Sequence, residues 1–190
     1  MWATTLFDQG VTPLPWIVVV GASLAAAVTD ARARRIPNVL ALPVLALGLA
    51  HAAAVAGPAG LADAGAACLA LALPYVLLFV FAGGGAGDAK LMGALGAWLG
   101  LVWGVVTLVA VCLAGVLFAF LWAGARRQLG PLLGNLSLLV RGAVLPFFGT
   151  GSLRDVPALL PATDDGEKLP YGLAIAAGTV VACVVAVVRR

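Results

Sequence analysis

Long apolar runs with almost no charge dominate this sequence. Between Val11 and Arg154 the only acids are Asp30, Asp63 and Asp88. Hydrophobic residues make up 63% of the 190 residues, charged residues only 10%, and the mean hydropathy is +1.12. A soluble domain of this length has too little interior to hide that much apolar surface. Strands of a spanning β-barrel alternate in polarity over about ten residues, whereas these runs are continuous. The chain is therefore expected to be all-α and polytopic in the membrane, one domain over residues 1–190. Its many alanines and glycines suit closely packed membrane helices.

Six spans fit the pattern, at about Pro15–Thr29, Ile36–Ala56, Leu61–Ala82, Ala89–Leu99, Val102–Ala123 and Tyr171–Val188. Pro37 is expected in the first turn of the second span, where a missing N–H costs nothing. Gly57-Pro58-Ala59-Gly60 reads as a tight turn. The stretch Ala89–Ala123 exceeds the roughly 20 residues one span needs, so a hairpin turning near Gly100 is expected. The long connection Gly124–Pro170 contains an apolar stretch, Pro131–Val140, that reads as an interfacial helix. Thr163–Glu167 reads as polar and exposed.

The remaining features exclude several classes. The basic groups Arg32/Arg34/Arg35 and Arg126-Arg127 flank apolar runs, as topology anchors do, so no nucleic-acid binding is expected. Cys68, Cys112 and Cys183 lie inside apolar segments without metal-binding spacing, and His51 stands alone. No metal and no cofactor are expected. No cleavable signal is apparent at the N-terminus.

Lysine and arginine placement puts the Asp30–Arg35 loop in the cytoplasm. The Arg189-Arg190 pair then falls outside, an exception to the rule. Following the chain through its spans, Asp30 and Asp88 reach the cytoplasmic face at similar depth, although they are 58 positions apart. Asp63 begins the third span at the opposite face and cannot join them. A carboxylate near hydrocarbon is expensive and points to function. Two that meet can hydrolyse a peptide bond: the ionised one takes a proton from water, and the neutral one protonates the carbonyl oxygen. Like charges in contact hold one proton between them. Helix dipoles assign that proton to Asp30, which ends a helix, and leave Asp88, which begins one, as the base. Glycines before Asp88 allow close backbone approach and positive φ. Gly85 and Gly87 are thus candidates to lie against an extended substrate, with Lys90 and Asn38 as further candidates for substrate binding.

Three ordered motifs carry a resemblance. They are Asp30 followed by Arg35-Ile36-Pro37-Asn38; Gly85-Ala86-Gly87-Asp88-Ala89-Lys90-Leu91; and Leu169-Pro170-Tyr171-Gly172 running on to Gly178. Together they resemble the type IV prepilin peptidases, which are GxGD-type intramembrane aspartic proteases. The resemblance implies catalytic roles for Asp30 and Asp88. It implies cleavage of the basic leader of pilin-like precursors, after a glycine, at the cytoplasmic face of a prokaryotic inner membrane. A prepilin or pseudopilin precursor, the lipid bilayer and the pilus-assembly machinery are the implied partners. Larger members also methylate the new N-terminus and carry a cysteine-rich domain. This chain has no paired CxxC, so it resembles the short peptidases of tight-adherence (Flp-type) pilus systems. Two other readings remain open: a related GxGD protease for archaellin or pseudopilin precursors, and a non-enzymatic scaffold or transporter. Transporters place their ionisable groups near the bilayer midplane, whereas these acids sit at span ends.

Overall fold

The computed structural model describes residues 13–82, 85–125 and 171–189. These residues are all-α, with no strand among them: α1 (Pro13–Ala33), α2 (Asn38–Ala82), α3 (Ala86–Ala125) and α4 (Tyr171–Val188). Each of the four is long and apolar enough to cross a membrane. The expected interfacial helix at Pro131–Val140 and polar stretch at Thr163–Glu167 lie outside the described residues.

The sequence leads one to expect six spans, and the structure gives four helices. The difference lies in two helices that run unbroken by assignment but not by geometry. Gly57 in α2 (φ 62°, ψ −147°) and Gly100 in α3 (φ 67°, ψ −179°) have left the helical region. Both occupy the expected turns, and positive φ is the conformation glycine adopts at least cost. At the first break the chain folds back. A Cβ placed on Gly60 would lie 2.5 Å from the carbonyl oxygen of Ala52, whereas eight residues of straight helix advance about 12 Å. Pro58 follows the break at the first position of the new segment, where proline is favoured.

The ends of the elements follow local rules. α1 continues past Thr29 to Ala33 and closes at Arg34, whose N–H donates to the Asp30 carbonyl at 2.8 Å. Arg34 takes a left-handed conformation (φ 51°), the usual geometry of a helix C-terminus. Ile36 cannot rejoin a helix easily because it precedes a proline. Pro37 lies just before α2 rather than inside its first turn, and its carbonyl accepts the N–H groups of Leu40 and Ala41 at 3.0 and 3.3 Å.

Small residues share the interior with large apolar ones: Ala26, Ala67, Ala94 and Ala182 are fully buried, as are Leu71, Leu91, Met92, Leu95 and Ile175. Large apolar side chains such as Ile17, Val39, Leu69 and Leu113 point outward and are exposed. An apolar exterior on this scale suits hydrocarbon rather than water. Close approach explains the small residues, since a Cβ on Gly96 would sit 2.6 Å from the Ala67 carbonyl oxygen. Membrane helices associate through such backbone proximity.

The main packing partners are α2 with α3, α3 with α4, and α4 with α1. Residues 38–51 run alongside residues 90–98, with Lys90 bonded to Asn38 and Trp98 bonded to the Val44 carbonyl. Residues 63–72 run the other way along the same stretch, placing Asp63 at Leu101, Ala67 at Gly96 and Cys68 at Gly93. The segment 86–99 is thus clasped by both arms of α2, and its two ends hold different chemistry.

Candidate active site

Asp30 occupies the last turn of α1 and is 9% exposed. Its Oδ2 accepts the backbone N–H of Gly172 at 2.8 Å, a contact across 142 positions of sequence. Gly172 is the second residue of α4, so this N–H is one of those a helix leaves unpaired at its start. The absence of a side chain is required here, because a Cβ on Gly172 would lie 2.9 Å from the Asp30 Cβ and 3.1 Å from Oδ2.

Asp88 lies in the first turn of α3. Its own N–H donates to the Gly85 carbonyl at 3.2 Å, which starts the helix. Asp30 and Asp88 are close enough for their charges to interact, so the structure brings these two sequence-predicted acids together. Asp63 lies elsewhere. Its carboxylate accepts the Leu101 N–H at 3.3–3.4 Å, beyond the Gly100 break. Twelve residues of helix separate Asp88 from Gly100, about 18 Å along the axis.

The surrounding candidates divide. Lys90 Nζ donates to Asn38 Oδ1 at 3.0 Å, and both side chains are exposed. Gly87 makes a close approach, but to Ile36 of this chain: a Cβ there would lie 3.0 Å from the Ile36 Cβ and 3.3 Å from its backbone. A Cβ on Gly85 would meet Asp88 Oδ2 at 2.9 Å. Neither glycine has positive φ; among the described glycines only Gly57 and Gly100 do. The expected positive φ before Asp88 is therefore not found at Gly85 or Gly87, because helix α3 already begins at Ala86. No group of three or more histidine, cysteine, aspartate or glutamate side chains able to hold a metal occurs among the described residues.

Sequence reading missed three participants. The Gly172 N–H was hidden inside a recognised motif, because a backbone donor carries no residue signature. It also alters the proton argument. Asp30 sits where the end of α1 meets the start of α4, so assigning the shared proton from the α1 dipole alone counts one of two helix ends. The other two are tyrosines. Tyr75 in α2 and Tyr171 at the start of α4 meet edge to face, with ring centroids 5.9 Å apart, and both lie within electrostatic reach of Asp88. Tyr75 lies amid an apolar run, where it reads as core.

Two acids near enough for their charges to interact thus lie at one end of an apolar helical assembly. The chain belongs to the type IV leader peptidase family, whose model matches residues 17–120. The match includes Asp30, Asn38, Gly85, Gly87, Asp88 and Lys90 and ends before α4. No match was found among curated proteins or among solved structures.

Proposed function

We propose that this protein is a prepilin endopeptidase in which Asp30 and Asp88 activate water. The observation that carries this reading is the convergence of the two carboxyl groups from α1 and α3, one of them held by a backbone N–H of α4. Two acids brought into contact in this way share one proton in the reaction we propose. The ionised carboxylate takes a proton from water as the oxygen bonds to the scissile carbonyl carbon. The neutral carboxyl group gives its proton to the carbonyl oxygen. Collapse of the resulting diol breaks the C–N bond, and the amine leaves with a proton from the dyad.

The substrate is the basic leader of a pilin-like precursor, cut at the cytoplasmic face of the inner membrane. The single domain spans residues 1–190, and α2 and α3 each cross the bilayer twice by folding back at Gly57 and Gly100. Gly85, Gly87, Lys90 and Asn38 border the acids and form the edge over which the leader lies. The three arginines after Asp30 are exposed and anchor that edge to lipid phosphates. Pilus-assembly proteins are the partners this activity serves.

Co-expression with a candidate precursor tests the reading. Conversion to the mature form, followed by gel shift, is expected with the natural chain and lost with Asp30→Asn or Asp88→Asn. Full conversion by either variant, inserted at normal levels, would falsify the assignment.

A further inference from the structure

At the end of the fold away from Asp30 and Asp88, α1 begins at Pro13, α2 folds back at Gly57 and α3 breaks at Gly100. A cavity of about 330 Å³ lies among these ends, within the size range of small-molecule sites. Most of its wall is apolar, with Leu14, Val55 and Leu99 among the lining residues, but His51, Asp63 and Trp98 line it as well. The fold gathers those three from separate places. His51 and Asp63 stand six residues before and six residues after Gly57, so the reversal brings both arms of α2 to the cavity. Trp98 comes from α3, two residues before its break.

The aromatic side of the cavity is held by the protein itself. Trp98 Nε1–H donates to the Val44 carbonyl at 2.8 Å, and Gly48 leaves room for the indole, since a Cβ there would lie 2.8 Å from Trp98 Cδ1. His51 stacks on the indole with ring centroids 5.1 Å apart and planes 28° from parallel. Asp63 supplies the charge. Among the described residues its carboxylate has one hydrogen-bond donor, the Leu101 N–H, shared between Oδ1 at 3.4 Å and Oδ2 at 3.3 Å. A carboxylate has about four acceptor positions, so one long, shared N–H leaves most of them open. His51, Asp63 and Trp98 are all half-buried and can be reached from outside.

A carboxylate beside aromatic surface in an otherwise apolar cavity is a setting in which organic cations bind. We propose that this cavity is a binding site for a primary ammonium carried on a compact apolar body. The ammonium donates to the Asp63 carboxylate and to an imidazole nitrogen of His51, and the apolar part lies against the aromatic pair, Leu14, Val55 and Leu99. A primary ammonium has three N–H donors and can serve both acceptors; a quaternary one has none. A free amine and the ethanolamine headgroup of a lipid both carry this ammonium. The site is separate from the two acids at the other end, and the proposal neither uses nor alters the peptidase reading.

The probe is phenethylammonium, with phenethyl alcohol as its uncharged counterpart, titrated against the full chain in a nonionic detergent. Saturation-transfer NMR of the probe reads binding after subtraction of empty micelles. Saturable binding of the amine is expected with a Kd at or below about 1 mM, a range open to so small a ligand. The alcohol should bind about 10-fold more weakly or worse, because it lacks the charge-assisted bonds. Asp63→Asn keeps an acceptor for Leu101 and should weaken the amine by about 10-fold or more. His51→Phe keeps the stacked ring and should weaken it by about threefold. Amine binding that does not saturate would overturn the proposal. So would alcohol bound as tightly as amine, a comparison that needs no variant to fold, or a natural affinity for the amine in either folded variant. Added phosphatidylethanolamine separates the two sources. Displacement of the probe assigns the site to the lipid headgroup, and no displacement assigns it to a free amine; each result retains the ammonium site.

Discussion

Asp30 and Asp63 make the same kind of contact at opposite ends of the fold. Each carboxylate reaches across to a neighbouring helical segment and accepts an N–H near its start, from Gly172 at 2.8 Å and from Leu101 at 3.3–3.4 Å. Each therefore supplies, from outside, the cap that the segment lacks in its own sequence. What surrounds them differs. Asp30 has a second acid near enough for their charges to interact, and Tyr75 and Tyr171 lie within electrostatic reach of that second acid. Asp63 has His51 stacked on Trp98, ring centroids 5.1 Å apart, in a cavity of about 330 Å³ that those three side chains help to line. An acid in an apolar chain is thus not functional by position alone. At one end it completes a cap, and at the other the capping acid also has a second acid near enough for their charges to interact.

Charge removal should break this comparison most sharply. Asp30→Asn and Asp88→Asn are expected to lower cleavage below detection, while Asp63→Asn leaves the rate per folded molecule unchanged. Precursor conversion normalised to inserted protein measures all three. Activity lost in Asp63→Asn as completely as in the other two would show that the ends of the fold are not chemically distinct.

Next in size are the glycines that hold the acids. A valine at Gly172 would press into the Asp30 side chain, given the 2.9 Å approach of even a Cβ. We expect a loss in kcat of about 100-fold, since small misplacements at a reacting centre have effects of that order. Gly87→Val meets Ile36 instead. Its main expected effect is overpacking, about 1–3 kcal/mol of stability, with cleavage impaired through the shifted start of α3. Thermal unfolding in detergent, measured beside the rate, separates the two. Equal loss of stability and equal loss of rate at both positions would mean that Gly172 has no special tie to Asp30.

These glycines also mark how far the sequence could be read. The two breaks were legible because a Gly-Pro-Ala-Gly turn and an overlong apolar run are local signals, and Gly57 and Gly100 fulfil them. The convergence of Asp30 and Asp88 followed from counting spans between them, which needs only chain direction. The same count placed Asp63 apart from them. Contacts that join distant segments through backbone atoms were not legible. The Gly172 N–H, the capping of Leu101 by Asp63 and the bond from Trp98 to the Val44 carbonyl all use main-chain atoms, which every residue carries. The hydrophobic run of the first span ends at about Thr29 and is extendable into Leu14 and the start of the Arg cluster, and the helix does run from Pro13 to Ala33 and closes at Arg34. Burial of Tyr75 was also beyond reach, since an apolar chain facing lipid shows no amphipathic stripe to mark its interior.

A smaller effect is expected at the Asp63 end. Asp63→Ala removes the acceptor of the Leu101 N–H, and loss of a cap costs about 0.5–2 kcal/mol. The long 3.3–3.4 Å contacts place this case at the lower end of that range. Asp63→Asn keeps an acceptor and should lose less. The measurement is the unfolding transition of the purified chain. An Asp63→Ala variant as stable as the natural protein would mean that the contact is incidental, and the parallel with Asp30 would lose its structural half.

The smallest expected effect is at the exposed pair Lys90 and Asn38. Their 3.0 Å bond uses Asn38 Oδ1 and leaves the amide hydrogens of Asn38 free to donate to an extended peptide. Asn38→Ala should therefore raise KM by about threefold, the loss of a weak hydrogen bond at an exposed position, without altering kcat. Lys90→Met leaves the Asn38 amide in place but unanchored, so its KM should rise less. The double variant should match Asn38→Ala alone if Lys90 acts only through Asn38, because neighbours in one network are not additive. The sign of the Lys90→Met effect carries a second discrimination. A basic leader is repelled by a lysine at the edge of the site, so a KM that falls would show that Lys90 acts by its charge. The side chain would then select against tight leader binding, and only Asn38 would remain as a contact.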